Sequence, residues 1–494
     1  MNLTLSLVRH AVQHPDKIAL SDNQTSLTYC TLVQRMKKIA QGLKRDGLND
    51  DKVAILSANR TEFVEVFLGA VYAGCVPVPI DPQWSKAEMN AILQLCQPGM
   101  IFTETEPAKN LDIQERDIRI LSFSDEEEAG SYDDWLTALQ PEAEMDDGNE
   151  LLFIGFTSGT TGKPKGYMRT QLSWMTSFEA TNEAFQLDSM DHIAAPGPFV
   201  HSLSLFALMQ SLYNGGTFHI VRHFDAGTML ELCKRTPDMN LFVVPTMIES
   251  MIQQAIPGQT PIQALISSGG KWPEASKRKC REVFGGVKLY EYYGSSEASY
   301  ISYMDVIAEN KPDSVGRPFS GVEVSIRDEH FREVPAGTIG QLYIRSGMMF
   351  SGYYHLPEET AAAFRDGWLK LGDYAFLDSD GYLYMAGRSR NMMVSGGLNV
   401  FPEEVESVLQ QIPAIREVMV LGVPDAYWGE RITAIVKWSG EQQLTLDEIK
   451  NYCRRFLASY KAPKRLITVD QFIYTSSGKI ARHAMKEYVN RGMI

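Results

Sequence analysis

The sequence predicts an α/β protein: a large N-terminal domain of helix-covered, mostly parallel sheets with a small β subdomain, and a smaller α+β C-terminal domain. Three observations predict it. Apolar runs of strand length alternate with helix-period segments over the first two-thirds of the chain. From about 314 to 385 short β-like pieces are separated by turn residues. After Gly387-Arg388 a unit of about one hundred residues mixes both periodicities. With 494 residues the chain is long enough for two to four domains. The expected boundaries are 1–388, containing a β subdomain at 314–387, and 389–494.

In chain order, Val53-Ala54-Ile55-Leu56 is a buried-strand run followed by a helix over Glu62–Ala73. Leu151-Leu152-Phe153-Ile154 is a strand that leads into a glycine-rich loop. Leu241–Val244 is a strand ending at Pro245-Thr246, with a helix after it. Ala264-Leu265-Ile266 stops at Ser267-Ser268-Gly269-Gly270, and a helix starts near Pro273. Lys288–Tyr292 is a strand ending at Tyr293-Gly294. A strand–loop–helix rhythm produces parallel sheets covered by helices, and such sheets bind ligands beyond the carboxyl ends of their strands. The β subdomain reads as strands at Val322–Ile326, Gln341–Arg345 and Tyr382–Tyr384. The last unit reads as helices near Glu403–Gln411 and Leu446–Leu457 around strands near Val418–Leu421 and Ile432–Trp438.

Composition excludes some functions. Net charge is -14, from 47 Lys and Arg against 61 Asp and Glu, which argues against a general nucleic-acid binder. Six cysteines without CxxC spacing read as reduced thiols of a cytoplasmic protein. The apolar run Leu3–Val8, stopped by Arg9 and His10, is too short for a signal core, and no integral membrane segment is expected.

The strongest chemical signal is Phe156-Thr157-Ser158-Gly159-Thr160-Thr161-Gly162-Lys163-Pro164-Lys165-Gly166. A loop this rich in glycine can turn several amide N–H groups toward one point, and four hydroxyls and two lysines add donors and positive charge. Polyphosphate is the guest these donors suit. A Walker A pattern cannot be placed on the loop.

This segment resembles the phosphate loop of the adenylate-forming superfamily, which includes acyl- and aryl-CoA synthetases, luciferases and peptide-synthetase adenylation domains. Further motifs follow in the family's order. Tyr293-Gly294-Ser295-Ser296-Glu297 is similar to Y-G-x-T-E, and Trp368-Leu369-Lys370-Leu371-Gly372-Asp373 to W-x-x-T-G-D. Gly387-Arg388, Ser395-Gly396-Gly397-Leu398-Asn399 and Ser477-Gly478-Lys479 are similar to the later motifs. The resemblance covers the chain from about residue 10 onward.

The resemblance implies an ATP-dependent acid–CoA ligase that forms acyl-AMP and then a thioester, with ATP, Mg²⁺ and CoA as reactants and cofactor. It implies a nucleotide site made from Thr157–Lys163, Lys165, Gly269, Gly270, Tyr292–Ser296, Asp373, Arg388 and Lys479. Tyr293 would stack on adenine and Ser296 bond the α-phosphate. Glu297 is a hard oxygen ligand suited to Mg²⁺. Asp373 can accept both ribose hydroxyls. Lys479 would bridge the two anions that meet at the α-phosphorus. The C-terminal domain would be mobile, hinged at Arg390, with Ser395, Gly396 and Gly397 lining a thiol channel.

Pro198-Phe199-Val200-His201 matches the family segment beside the acid, and the resemblance makes His201 an aromatic gate near the carboxylate. Amino-acid-activating relatives place an aspartate here. Its absence disfavours an amino acid, whose ammonium would be buried unpaired. Leu203, Leu205, Phe206, Leu208 and Met209 follow helical spacing, so they are either pocket lining or core. Ser267–Trp272 should form another wall, where Lys271 either meets a second anionic group or points to solvent. The expected substrate is a fatty or other apolar carboxylic acid. An aryl acid of benzoate or succinylbenzoate type and a carrier-protein acceptor are the enzyme alternatives; an inactive nucleotide-binding regulator is the other. The partners expected are small molecules, and a homodimer is compatible with the sequence.

Overall fold

A computed structural model describes residues 2–493, except 23–24, 109–110, 112–117, 124–130, 143, 146–148, 158–163, 187–190, 271, 310, 389–390, 396–397, 426 and 476–478. The described chain divides into two compact units. The first comprises 1–310, 318–323 and 345–369, and the second 311–317, 324–344 and 370–494. This grouping keeps much of the expected β subdomain with the C-terminal segment.

The first unit has two helix-covered sheets. In one, Val76–Ile80, Lys52–Leu56, Met100–Thr103 and Arg119–Ser122 run parallel in that order. Its core joins Leu56, Val78 and Ile101 to Ile92 and Leu93 of the helix Lys86–Cys96. Ser85 and Glu88 start that helix with a reciprocal capping box, as the S-x-x-E spacing requires. In the larger sheet, Lys288–Ser295, Ala264–Ser267, Met239–Val243, His192–Ala194, Thr217–His219 and Ile18–Ser21 are successively parallel. Ser299–Asp305 lies antiparallel outside Lys288–Ser295. Leu241, Val243, Leu265 and Leu289 are fully buried against Met229, Ile248, Met251 and Cys280 of the covering helices. Strands covered on both faces read as continuous apolar runs, which is why they were visible in the sequence.

Two elements near the motifs depart from expectation. The strand Leu151–Thr157 does not lead through the glycine-rich loop to a helix. It pairs antiparallel with Lys165–Thr170, which also pairs with Gly352–Tyr353. The helix Gln171–Phe185 starts only after this strand, capped by Thr170. The strand Lys288–Ser295 also does not end before Tyr293; Ser299–Asp305 folds back on it and supplies partners for Tyr293, Gly294 and Ser295. At that fold-back the Ser299 carbonyl oxygen lies 2.2 Å from where a Cβ on Gly294 would sit, so only glycine fits.

The second unit contains most of a five-stranded sheet with Trp368–Leu377 at its centre, paired antiparallel with Leu383–Arg388. Its last hundred residues form a separate sheet around the hairpin Ile415–Asp425/Gly429–Trp438, with Arg465–Thr468 added in parallel. Alternation along Val418–Leu421 explains its two covered faces. Val418 and Val420 pack on the helices Pro402–Leu409 and Leu446–Cys453, and Met419 and Leu421 pack on Arg482–Asn490. All six cysteines are free thiols. Among the described residues no helix is long and apolar enough to cross a membrane.

Candidate active site

In the first unit, the chemistry gathers where Lys288–Ser295 turns back. The Ser295 hydroxyl accepts the Ala298 N–H at 3.0 Å and closes a turn that presents Ser296 and Glu297. Arg169 holds this turn from the neighbouring sheet. Its guanidinium donates to the Ser296 carbonyl at 3.0 Å and to the Met348 carbonyl at 2.7 Å, and its side chain is fully buried. Burial lowers its pKa to about 10, while the nearby Tyr167 and Glu297 favour its charge. A buried guanidinium bound to two carbonyls is costly to remove, because both carbonyls lose their donor.

Glu297 is held at both ends. Its carbonyl accepts the Phe350 N–H at 2.7 Å, and the Tyr353 hydroxyl donates to its Oε1 at 3.0 Å. Burial raises the Tyr353 pKa, and the adjacent Glu297 carboxylate raises it further, so the phenol stays a donor. Among the described residues no group of three or more His, Cys, Asp or Glu side chains could hold a metal. A single fixed carboxylate nevertheless fits Mg²⁺, which usually keeps several waters and takes one or two carboxylates plus substrate phosphates.

Three hydroxyls form a row beside this turn. Tyr167 Oη is 2.9 Å from Ser202 Oγ, and Ser202 Oγ is 3.2 Å from Ser296 Oγ. Next to Ser202 stands His201, at the start of the helix Ser202–Tyr213. Its Nε2 lies 4.0 Å from Oδ2 of the buried Asp81. Leu205, Phe206, Leu208 and Met209 are buried core residues, and Phe206 packs on Trp174, Phe178 and Tyr300.

The strand ends that flank the glycine-rich loop are described, and the loop's centre is not. Thr157 is exposed at the end of its strand. Lys165 pairs with the Glu359 carboxylate, and its ammonium lies 5.8 Å from the Tyr353 ring centroid. Ser158, Gly159, Thr160, Thr161, Gly162 and Lys163 lie outside the described residues, as does Lys271. Gly269 adopts φ +86°, a left-handed conformation that favours glycine, whereas Gly270 has open space around it. Just beyond, the Trp272 N–H donates to Glu291 Oε1 at 3.3 Å, and Glu291 Oε2 pairs with Lys277 Nζ at 2.6 Å. Tyr292 stacks on Tyr300 with ring centroids 4.5 Å apart, and Tyr293 is half-buried on the same strand.

In the second unit, Asp373 and Arg388 face each other across paired strands, with Arg388 Nε donating to Asp373 Oδ1 at 3.0 Å. The Asp373 carbonyl accepts from Gln341 Nε2 at 2.7 Å. Lys479 closes a short loop: the Thr475 N–H donates to its carbonyl at 2.7 Å, and Tyr474 bridges Ile480. Three residues on, Arg482 Nη2 grips both oxygens of Glu406, at 2.7 and 2.8 Å. Ser395 is buried. Arg390, Gly396 and Gly397 lie outside the described residues.

The structure adds Tyr167, Arg169, Ser202, Tyr353 and Asp81 to the residues that the motifs singled out. Only Arg169 left a trace in the sequence, a charge placed two residues after Tyr167 in a strand, where alternation sends both side chains to the same face.

A hydroxyl row, a fixed carboxylate and the ends of a glycine-rich loop are what the first unit offers to a ligand. The sequence model of the AMP-binding enzyme family matches residues 7–354, and that of the AMP-binding enzyme C-terminal domain matches residues 404–479. The chain belongs to the AMP-binding enzyme family. It is 33% identical to an uncharacterized acyl–CoA ligase, YhfT, of Bacillus subtilis (strain 168), over 100% of this chain and 99% of that one. It is 30% identical to VraA of Staphylococcus aureus (strain COL), provisionally named a long chain fatty acid-CoA ligase, over the full length of both. Among solved structures, ATP-bound MatB from Rhodopseudomonas palustris superposes with a TM-score of 0.89 at 25% identity, covering 99% of each chain.

Proposed function

We propose that this protein is an ATP-dependent acid–CoA ligase acting on a fatty or other apolar carboxylic acid. The observation that supports it best is the pairing of Ser296 and Glu297 on one braced turn, a phosphate donor beside a metal-binding carboxylate. The names of YhfT and VraA support the same reaction class, and VraA's supports a long-chain acid. In the first half-reaction a carboxylate oxygen of the acid attacks the α-phosphorus of ATP and pyrophosphate leaves. In the second, the CoA thiol, losing its proton, attacks the acyl carbonyl and AMP leaves.

The chain's residues divide this work. The loop Thr157–Lys163 and Lys165 bind the pyrophosphate end. Glu297 holds Mg²⁺, which neutralises phosphate charge when bound. Tyr293, Gly269 and Gly270 line the adenine side, and Asp373 and Arg388 hold the ribose. His201 stands by the acid. Lys479 counters charge as the two anions approach. The segment 389–494 works as a mobile domain hinged at Arg390. One pose uses Lys479 for adenylation; the other uses Ser395, Gly396 and Gly397 for the thiol. Six free thiols support a reducing, cytoplasmic setting.

Acid-dependent pyrophosphate exchange across a panel of aliphatic and aromatic acids tests this reading. Exchange driven by apolar acids, followed by a CoA thioester, is the expected result. No exchange with any acid refutes adenylation; exchange without a thioester refutes the CoA step alone. Lys479→Ala should slow acyl-AMP formation by on the order of 10²-fold and spare thioester formation from supplied acyl-AMP. Equal loss in both steps would refute the two-pose assignment.

A further inference from the structure

We infer that Tyr167 and Ser202 are positioning residues that set the direction of the Ser296 hydroxyl, so that its proton points outward to a phosphoryl oxygen. The inference rests on the nucleotide reading above and adds two residues to it.

The geometry starts with a glycine. Gly155 and Tyr167 are directly opposed on the paired strands Leu151–Thr157 and Lys165–Thr170. A Cβ on Gly155 would lie 2.4 Å from both Cζ and Oη of Tyr167, so the ring rests on bare backbone. The phenol is thereby held in one place, and it is buried at 2% exposure. Its oxygen is 2.9 Å from Ser202 Oγ, which is 3.2 Å from Ser296 Oγ.

Each hydroxyl in this row has one proton to donate. Three orders are open to the row: outward, inward, and a convergent one in which Ser202 accepts from both neighbours and its own proton finds no partner in the row. Outward, Tyr167 donates to Ser202, Ser202 donates to Ser296, and the Ser296 proton is left for a ligand. Inward, Ser296 donates to Ser202 and Ser202 to Tyr167, which then needs another acceptor for its own proton. Among the described residues, the hydrogen-bond partners of the Tyr167 hydroxyl are in this row. The inward order thus strands a buried donor, a penalty the outward order avoids. Burial raises the Tyr167 pKa, so the phenol keeps its proton at neutral pH.

Arg169, on the same strand, completes the device by holding the Ser296 carbonyl at 3.0 Å. One strand therefore fixes both the backbone and the hydroxyl of Ser296. A donor aimed before the ligand arrives needs no reorganisation when negative charge builds on the α-phosphoryl oxygens.

The test is AMP and adenosine binding to the full chain by calorimetry, using wild type, Tyr167→Phe, Ser202→Ala, Ser296→Ala and Tyr167→Phe/Ser296→Ala. Tyr167→Phe and Ser202→Ala should each weaken AMP binding about five- to tenfold, as loss of one hydrogen bond between neutral groups does. Adenosine, which lacks the phosphate, should bind within about twofold of wild type. The double variant should bind AMP no more weakly than Ser296→Ala, because Tyr167 acts only through Ser296. Wild-type AMP affinity in Tyr167→Phe, equal loss for adenosine, or losses that multiply in the double variant would each overturn the inference. If Tyr167→Phe fails to fold, the pair Ser202→Ala and Ser202→Ala/Ser296→Ala reads the same cycle. If wild type binds neither ligand, the nucleotide reading falls and this inference with it. If wild type binds AMP and the cycle is additive, only this inference falls.

Discussion

Replacing Lys277 with methionine should remove the ammonium and keep most of the side-chain volume. Lys277 is 4% exposed and Glu291 8%, with 2.6 Å between the ammonium and the carboxylate. Burial works against the lysine's charge, but Glu291 and Glu274 outweigh it and hold the Lys277 pKa above its usual value. Without the lysine, Glu291 must stay charged in a dry setting or take up a proton. The first route costs about 3–5 kcal/mol, as for any buried pair deprived of one partner. The second can be worked separately. A carboxyl whose unfolded pKa is 4.5 holds a proton at pH 7 at a cost of about 3.4 kcal/mol, from 2.5 pH units at about 1.36 kcal/mol each. The two routes converge on a loss of roughly 3 kcal/mol.

The second route also fixes the pH dependence. With Lys277 gone, the folded pKa of Glu291 lies still further above its unfolded value, since burial already raises it. Such a group stabilises the fold below its unfolded pKa, and that contribution is lost as pH rises through the folded pKa. The deficit of Lys277→Met should therefore shrink by about 2 kcal/mol between pH 7 and pH 5.5. Urea unfolding at both pH values, followed by tryptophan fluorescence, measures it. Adding Glu291→Gln should recover much of the loss at pH 7. A deficit under about 1 kcal/mol at pH 7, or one that grows as pH falls, would refute the buried-pair reasoning.

Two further outcomes follow from the site and the large sheet. Arg169→Met should lower the rate of acyl-AMP formation by about tenfold or more and destabilise the fold by about 2–4 kcal/mol, since two buried carbonyls lose their donor; stopped-time exchange assays and thermal melts check both, and Arg169→Lys should recover only part. His219, with Nε2 3.1 Å from His192 Nδ1, has its pKa lowered to about 4 by burial and by His192. Its depressed folded pKa contributes stability above about pH 6.5 that is lost as pH falls toward 4, a total of roughly 3 kcal/mol. His219→Gln should flatten the stability profile across that window, as urea midpoints at pH 7.5 and 5 would show.

The parallel sheets were legible because their strands are apolar throughout and separated by helical periods. The motif residues were legible because each group is contiguous: Tyr293–Glu297 is one short run, and so is Phe156–Gly166. The supports were not legible. Tyr167 meets Ser202 across 35 residues, Tyr353 meets Glu297 across 56, and Arg169 meets Ser296 across 127. No local pattern encodes such pairings, since they depend on how two sheets and the start of a helix are brought together. The strand after the glycine-rich loop was not legible for the same reason: its partners, Leu151–Thr157 and Gly352–Tyr353, decide that it is a strand. Gly294 shows the intermediate case. Its place in a motif was plain, but the carbonyl of Ser299 that forbids a side chain there comes from the returning strand.

On the proposed reading, in which Lys165 binds the pyrophosphate end, its pairing with Glu359 has a consequence for traffic through the site. Glu359 is then a resident anion beside the lysine. An arriving polyphosphate must exchange with it, so the net attraction is smaller than a bare lysine would supply. A departing pyrophosphate leaves behind a lysine that Glu359 can neutralise at once. Weaker capture is thus coupled to easier release, and the carboxylate works as a counterweight that keeps the leaving group from lingering.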